Sequence, residues 1–259
     1  MDKKILSRDG TSLAYQSSGQ GPAVVLISGA MSTGQTVAPV AGPLSARFQV
    51  VAYDRRGRGE SGDTAPYAVE REIEDLAALI DAVGGEASLY GISSGGALAL
   101  RAAASGLPVR RVAVYEVPYA MSEEEATARA AYTERLSEAL GQGRRGDAVE
   151  LFLRQTGMAE SVIEGARQSP MWADMEAIAP TLAYDDAVLG GGRVPRDLLA
   201  SLTMPVLALA GGESPAWMRE AARAVAEAAP GGTYRVLEGQ THMVDPNVLA
   251  PALAEFFAG

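Results

Sequence analysis

Three kinds of side chain in this sequence could together run nucleophilic chemistry: a serine, a histidine and a carboxylate. The serine is Ser93, at the centre of Gly91-Ile92-Ser93-Ser94-Gly95. Residues 87–90 read as a short strand and residues from 97 onward as a helix, so G-x-S-x-G bridges a sharp strand-to-helix turn. Such a turn strains its central residue and needs small neighbours, which Gly91 and Gly95 supply. With Ser94 as the nucleophile, Ile92 would fall on a crowded position. The turn also sets Ser93 at a helix N-terminus, where free N–H groups favour developing negative charge. A serine hydroxyl attacks poorly until a base takes its proton, and histidine is the usual base near neutral pH. The chain has a single histidine, His242, in the loop of residues 239–243. For the acid that would orient it, Glu116, Glu213 and Asp245 stand as candidates.

These residues need a scaffold, and the hydrophobic pattern supplies one. Residues 4–6 and 13–16 read as a hairpin around Arg8-Asp9-Gly10. Residues 23–27 and 48–53 are continuous apolar runs, the mark of strands buried on both faces. Val69, Ile73, Leu76, Ile80 and Val83 recur at helical spacing, and Gly84-Gly85 ends that helix. Further helices are expected over 37–47, 216–228 and 247–257, and further strands over 112–115, 204–210 and 233–237. Strands alternating with helices imply a mostly parallel, twisted α/β sheet flanked by helices. Between 119 and 200 the alternation stops and only helices are legible. Met121-Ser122-Glu123-Glu124-Glu125 reads as a capped helix start with a solvated acidic first turn. The expected organisation is a sheet domain over 1–118 and 201–259, interrupted by a helical cap over 119–200.

Composition narrows the classes of function. The 259 residues suit one α/β domain with an insertion, and 47% are hydrophobic, enough for a sizeable core. There is no cysteine, so neither disulfides nor thiolate chemistry is available, and one histidine cannot supply a histidine-based metal cluster. A net charge of −10 argues against nucleic acid and against an anionic membrane surface as partners. Met1-Asp2-Lys3-Lys4 is followed by no long apolar run, so no signal peptide is expected, and a cytoplasmic protein is the default.

The whole chain resembles the α/β-hydrolase superfamily. Ser93 lies in the G-x-S-x-G elbow, His242 follows the last strand in the order serine, acid, histidine, and residues 54–61 are similar to the common D-x-R-G-x-G-x-S loop. The resemblance implies that Asp54, Arg55 and Arg58 brace the sheet edge rather than bind phosphate. Most members carry their acid as an Asp after the strand that is 206–210 here, but this chain has Gly211-Gly212-Glu213-Ser214-Pro215, with Ser214 about where that Asp would stand. Some members take the acid from the end of the strand after the elbow helix, where this chain has Tyr115-Glu116-Val117-Pro118. The fungal zearalenone lactonases are of this type and show a similar Ser-Ser-Gly elbow and Glu-Val-Pro. The resemblance therefore favours Glu116 over Glu213 and Asp245.

It also implies two backbone N–H donors for the oxyanion of acyl transfer, one on Ser94 and one on Ala30. Ser28-Gly29-Ala30 departs from the usual His-Gly-x at Ser28, and that histidine helps hold the loop in the relatives. Met31 and Trp172 are the candidate substrate contacts, with core packing the alternative for both and Trp217 the weaker aromatic candidate. The expected activity is cofactor-free serine hydrolysis of a small-molecule ester or lactone. Thioesterase, carbon–carbon bond hydrolase, perhydrolase, hydroxynitrile lyase and a non-catalytic small-ligand receptor are the alternatives. Haloalkane dehalogenase and epoxide hydrolase are disfavoured, because those families have Asp at the elbow. Oligomeric state is not legible.

Overall fold

The continuous apolar runs become the inner strands of one sheet. The computed structural model describes residues 3–259; Met1 and Asp2, where the reading of the N-terminus starts, lie outside the described residues. The strands are β1 (Lys3–Leu6), β2 (Ser12–Ser18), β3 (Ala23–Ile27), β4 (Gln49–Tyr53), β5 (Ala87–Ile92), β6 (Val109–Tyr115), β7 (Val206–Gly211) and β8 (Gly232–Leu237). Their order is β1-β2-β4-β3-β5-β6-β7-β8. Strand β2 runs antiparallel to β1 and β4, and the remaining pairs are parallel.

The helices are α1 (Gly34–Leu44), α2 (Val69–Ala82), α3 (Ser94–Ala104), α4 (Glu123–Gly141), α5 (Arg145–Gln155), α6 (Glu160–Arg167), α7 (Trp172–Ile178), α8 (Leu182–Leu189), α9 (Arg196–Ala200), α10 (Ala216–Ala228) and α11 (Pro246–Ala258). Side chains alternate across a strand, so each apolar run feeds two cores. Val25 and Ile27 of β3 belong to the core that also holds Leu76 and Ile80 of α2, Leu98 of α3 and Val225 of α10. Val24 and Leu26 face the other way, toward Val37 and Val40 of α1 and Leu249 and Leu253 of α11. Full burial of one such side chain stabilises by about 1.5–3 kcal/mol, which is why the runs are uninterrupted. No helix among the described residues is long and apolar enough to cross a membrane.

The expected elements are present, with shifted bounds. Helix α3 starts at Ser94 rather than at 97, so the turn passes into helix immediately after Ser93. Helix α1 starts at Gly34 rather than at 37, because the Asp54 carboxylate takes the Gly34 N–H at 2.8 Å and moors that helix end to β4.

Residues between β6 and β7 are helical, and α4 opens on a capping box between Ser122 and Glu125. Tyr132, Leu136, Val149, Leu153 and Ile163 give this insertion an apolar cluster of its own. The chain enters and leaves it at one neck, where the Ala120 N–H donates to the Gly192 carbonyl at 2.7 Å. Two rivets tie it to the sheet domain: Tyr67 and Tyr184 stack 3.8 Å apart, and the Tyr184 hydroxyl donates to Asp63 at 2.7 Å.

Candidate active site

Parallel strands present their C-terminal ends on one side, and the candidate residues gather there. Ser93 follows β5 with φ 56° and ψ −127°. A Cβ on Gly91 would fall on the Gly95 carbonyl, and one on Gly95 would fall on the Ile27 and Ser28 carbonyls, so both glycines are demanded by close backbone approach. The Ser93 N–H donates to the Tyr115 carbonyl at 2.9 Å. That bond extends the β5–β6 register, in which Ile92 faces Tyr115, and sets Ser93 beside Glu116.

Glu116 is fully buried and also has positive φ, 46°. Among the described residues only Met31, Ser93 and Glu116 are non-glycine residues with positive φ. Backbone strain of this kind persists only where surroundings over-determine it, and here it is confined to residues singled out for chemistry. One Glu116 oxygen accepts the Gly211 N–H at 2.8 Å, and the other lies 2.8 Å from Nδ1 of His242. The His242 loop is held by the Tyr115 hydroxyl, which donates to the Thr241 carbonyl at 2.6 Å, and by Gly211, where a Cβ would fall on the Gln240 carbonyl. His242 itself is 36% exposed.

The other two carboxylate candidates are placed elsewhere. Glu213 is exposed, and its backbone N–H donates to the Gln240 carbonyl. Asp245 caps α11, accepting the Asn247 N–H at 2.8 Å. No hydrogen bond joins the Ser93 hydroxyl to His242 among the described residues; such bonds commonly tighten only around a substrate.

The loop after β3 passes directly over Ser93: a Cβ on Gly29 would meet the Ser93 Cβ at 3.1 Å. Ala30 and Ser94, the expected oxyanion donors, therefore flank the serine, and neither N–H is spent on a protein acceptor among the described residues. Ala30, Met31 and Trp172 all pack, partly buried, against the apolar cluster of the insertion, together with Phe152 and Met175. Met31 and Trp172 thus pack on the same apolar cluster, one from the Ala30 loop and the other from α7. Trp217 is on α10, which packs on β7 and β8, and does not join them.

Arg55 and Arg58 are buried and structural, as expected, in the loop at the C-terminal end of β4. Strand β4 is interior, and the two guanidiniums turn inward beneath the Ser28-Gly29-Ala30 loop. Arg55 makes two 2.7 Å bonds to Glu72 and one to Asp185, and Arg58 binds Asp185 at 2.7 Å. All four side chains are buried or nearly so. Asp185, on α8, also accepts the Ser94 hydroxyl at 2.7 Å. Sequence reasoning missed Asp185 and Glu72. Asp185 is 130 residues from Arg55, so no local spacing announces it; the only signal was a set of arginines in a loop otherwise made of small and acidic residues.

Glu116 and Asp185 both titrate below the ordinary carboxylate range. Burial is the largest influence on each and favours the neutral acid. For Asp185 it is outweighed by the charges of Arg58 and Arg55, and for Glu116 by the hydrogen bonds it accepts from His242 and the Gly211 N–H. A carboxyl lowered in the folded state adds stability that is present above the ordinary range and lost as pH falls through its folded value. Melting temperature is therefore expected to drop on acidification, with a shallower acid limb in Glu116→Gln, which removes one titrating group. Parallel acid limbs in thermal melts would contradict this.

The sheet order and the strained serine turn after a parallel strand invite comparison with known proteins. Residues 24–255 match the Alpha/beta hydrolase family. The chain is 49% identical to an alpha/beta hydrolase from Sphaerobacter thermophilus, covering 98% of this chain and 100% of that one, with a TM-score of 0.89. It is 25% identical to a thermophilic esterase from Thermogutta terrifontis, over 100% of this chain and 98% of that one, with a TM-score of 0.74. An enol-lactonase from Burkholderia xenovorans, 23% identical over 99% of this chain and 100% of that one, has the same fold at a TM-score of 0.71. Match length, identity and strand order agree: the protein belongs to the α/β hydrolase family.

Proposed function

We propose that the protein is a serine hydrolase that cleaves a carboxylic ester or lactone through an acyl-enzyme on Ser93. The observation that carries this reading is the 2.8 Å contact between Glu116 Oε2 and His242 Nδ1, on the strand end beside Ser93. With Nδ1–H donating to Glu116, the lone pair of His242 is on Nε2, the tautomer a general base requires. Nε2 takes the Ser93 proton as Oγ attacks the carbonyl carbon. The N–H groups of Ala30 and Ser94 hold the oxyanion. Collapse breaks the acyl–oxygen bond, and His242 returns the proton to the leaving alkoxide. Water, deprotonated by His242, then releases the acid and frees Ser93. Glu116 stays ionised throughout. No cofactor enters these steps.

Residues 119–200 act in this reading as a cap over the strand ends. Met31, Trp172, Phe152 and Met175, partly buried on the apolar cluster of the insertion, would suit an apolar acyl or alkyl group, and substrate choice is assigned to them. The Glu-Val-Pro and Ser-Ser-Gly motifs shared with zearalenone lactonases keep macrolactones among the substrates to be tried.

The test is turnover of p-nitrophenyl esters and a lactone panel, with labelling by a fluorophosphonate. Ser93-dependent turnover, with the phosphonyl mass on the peptide that contains Ser93, is the expected result. Ligand binding without any turnover, or labelling on another residue, would overturn it.

A further inference from the structure

In this chain a serine stands where most relatives have the histidine that holds the oxyanion loop, yet the loop is tightly held. Its carbonyls point down onto buried guanidiniums. Arg58 donates to Gly29 O at 2.6 Å and to Ser32 O at 3.3 Å, and Arg55 donates to Ser28 O at 3.3 Å. A peptide unit is planar and trans, so its C=O and N–H point in opposite directions. Pinning Gly29 O from below therefore aims the Ala30 N–H the other way, in a loop that lies against Ser93, whose Oγ is 3.7 Å from where a Gly29 Cβ would stand. The second donor belongs to Ser94, whose hydroxyl donates to Asp185 Oδ1 at 2.7 Å. Asp185 Oδ2 in turn receives Arg58 at 2.7 Å. One carboxylate thus touches both halves of the oxyanion hole: Ser94 directly, and the Gly29–Ala30 peptide through Arg58.

Asp185 lies on α8 of the insertion, not in the sheet domain, and is 4% exposed. Its neighbour Tyr184 stacks on Tyr67, and the Tyr67 hydroxyl donates to Glu72, the bidentate partner of Arg55. The seat of the insertion and the hold on the loop are consequently one network.

We propose that Asp185, acting through Arg58 and Ser94, is a positioning residue that aligns both oxyanion donors, so that seating of the helical insertion on the sheet domain completes the catalytic site. The proposal rests on the serine-hydrolase reading. Asp185 touches no reacting atom. It transfers no proton in the cycle, and its contribution is to hold two N–H groups where the tetrahedral oxygen develops. Misalignment then harms the tetrahedral state and spares the bound ester, because donors aimed at the oxyanion act mainly after attack.

The experiment compares Asp185→Asn, Ser94→Ala and the unmodified protein on one p-nitrophenyl ester, with active sites counted by irreversible phosphonylation. Loss of one complete oxyanion donor costs on the order of 10²–10³ in kcat, so partial misalignment of two by Asp185→Asn should cost about 10–10² per titrated site. KM should stay within about threefold. Affinity for a boronic acid that forms a tetrahedral adduct on Ser93 should fall by a similar factor to kcat. The pH profile of kcat should keep its shape, since His242 and Glu116 are untouched. Ser94→Ala removes only the direct link and should give a smaller loss of the same kind, roughly 3–10-fold, which keeps the test decisive if Asp185→Asn does not fold. A merely structural role would lower the titrated fraction or the melting temperature and leave kcat per site and boronate affinity unchanged; that result overturns the proposal while the hydrolase reading stands. Absence of any Ser93-dependent turnover in the unmodified protein overturns the hydrolase reading, and the positioning role with it.

Discussion

Replacing Ser93 by alanine should lower kcat for ester hydrolysis on the order of 10⁴–10⁶-fold, with the fold intact. In the proposed mechanism the hydroxyl is the atom that forms the covalent bond, and no neighbouring thiol can substitute, because the chain has no cysteine. Alanine inherits the positive φ of 56° that serine already tolerates, so the substitution adds no new backbone strain. The melting temperature should stay within a few degrees of the parent, as is usual when no buried group is removed. The informative contrast is Ser94→Ala, because Ser94 is also a hydroxyl in the same turn. Its oxygen is engaged with Asp185 and it starts the helix, so its loss should be far milder. Single-turnover burst kinetics on a p-nitrophenyl ester read both variants. If Ser94→Ala proves the more damaging, the nucleophile has been misassigned.

The second large effect is expected at Glu116. Glu116→Gln should reduce kcat by about 10²–10⁴, while Glu213→Gln changes it little. Glutamine keeps the shape and can still accept the Gly211 N–H through its carbonyl. It then presents an NH₂ group, not an acceptor, to Nδ1 of His242. That favours the tautomer protonated on Nε2, which cannot take the serine proton. The buried setting sharpens the effect, since an acid with no exposed surface cannot recruit bulk water to replace the lost acceptor. Glu213 points to solvent after β7, and Asp245 serves as the cap of α11, so neither is placed to rescue the variant. Steady-state kcat across pH for the two glutamine variants is the measurement. A larger loss in Glu213→Gln, or equal small losses in both, would remove Glu116 from the reading.

The elements that hold Ser93 were legible because their determinants are local. Gly91 and Gly95 announce a turn that no larger residue fits, and the carbonyls found against them are the reason. The runs around Val25 and Val51 announce doubly covered strands, because period-two alternation serves two apolar faces at once. His242 could be placed because a single histidine after the last strand has no competitor. Choosing among Glu116, Glu213 and Asp245 needed more than spacing. The resemblance leaned to Glu116; tertiary structure set it against His242, turned Glu213 to solvent and spent Asp245 on a helix cap.

The sheet and the strained serine turn are written in runs of fewer than about fifteen residues, where sterics and periodicity act. Where the charges of residues 54–61 go is settled by long-range packing instead. Arg55 and Arg58 meet Asp185 across 130 and 127 residues of chain, beneath the loop of residues 28–30. Nothing local specifies that meeting. It follows from burial: guanidiniums sealed from water must find carboxylates and carbonyls wherever the fold brings them, and the fold brings them a carboxylate from the inserted helices.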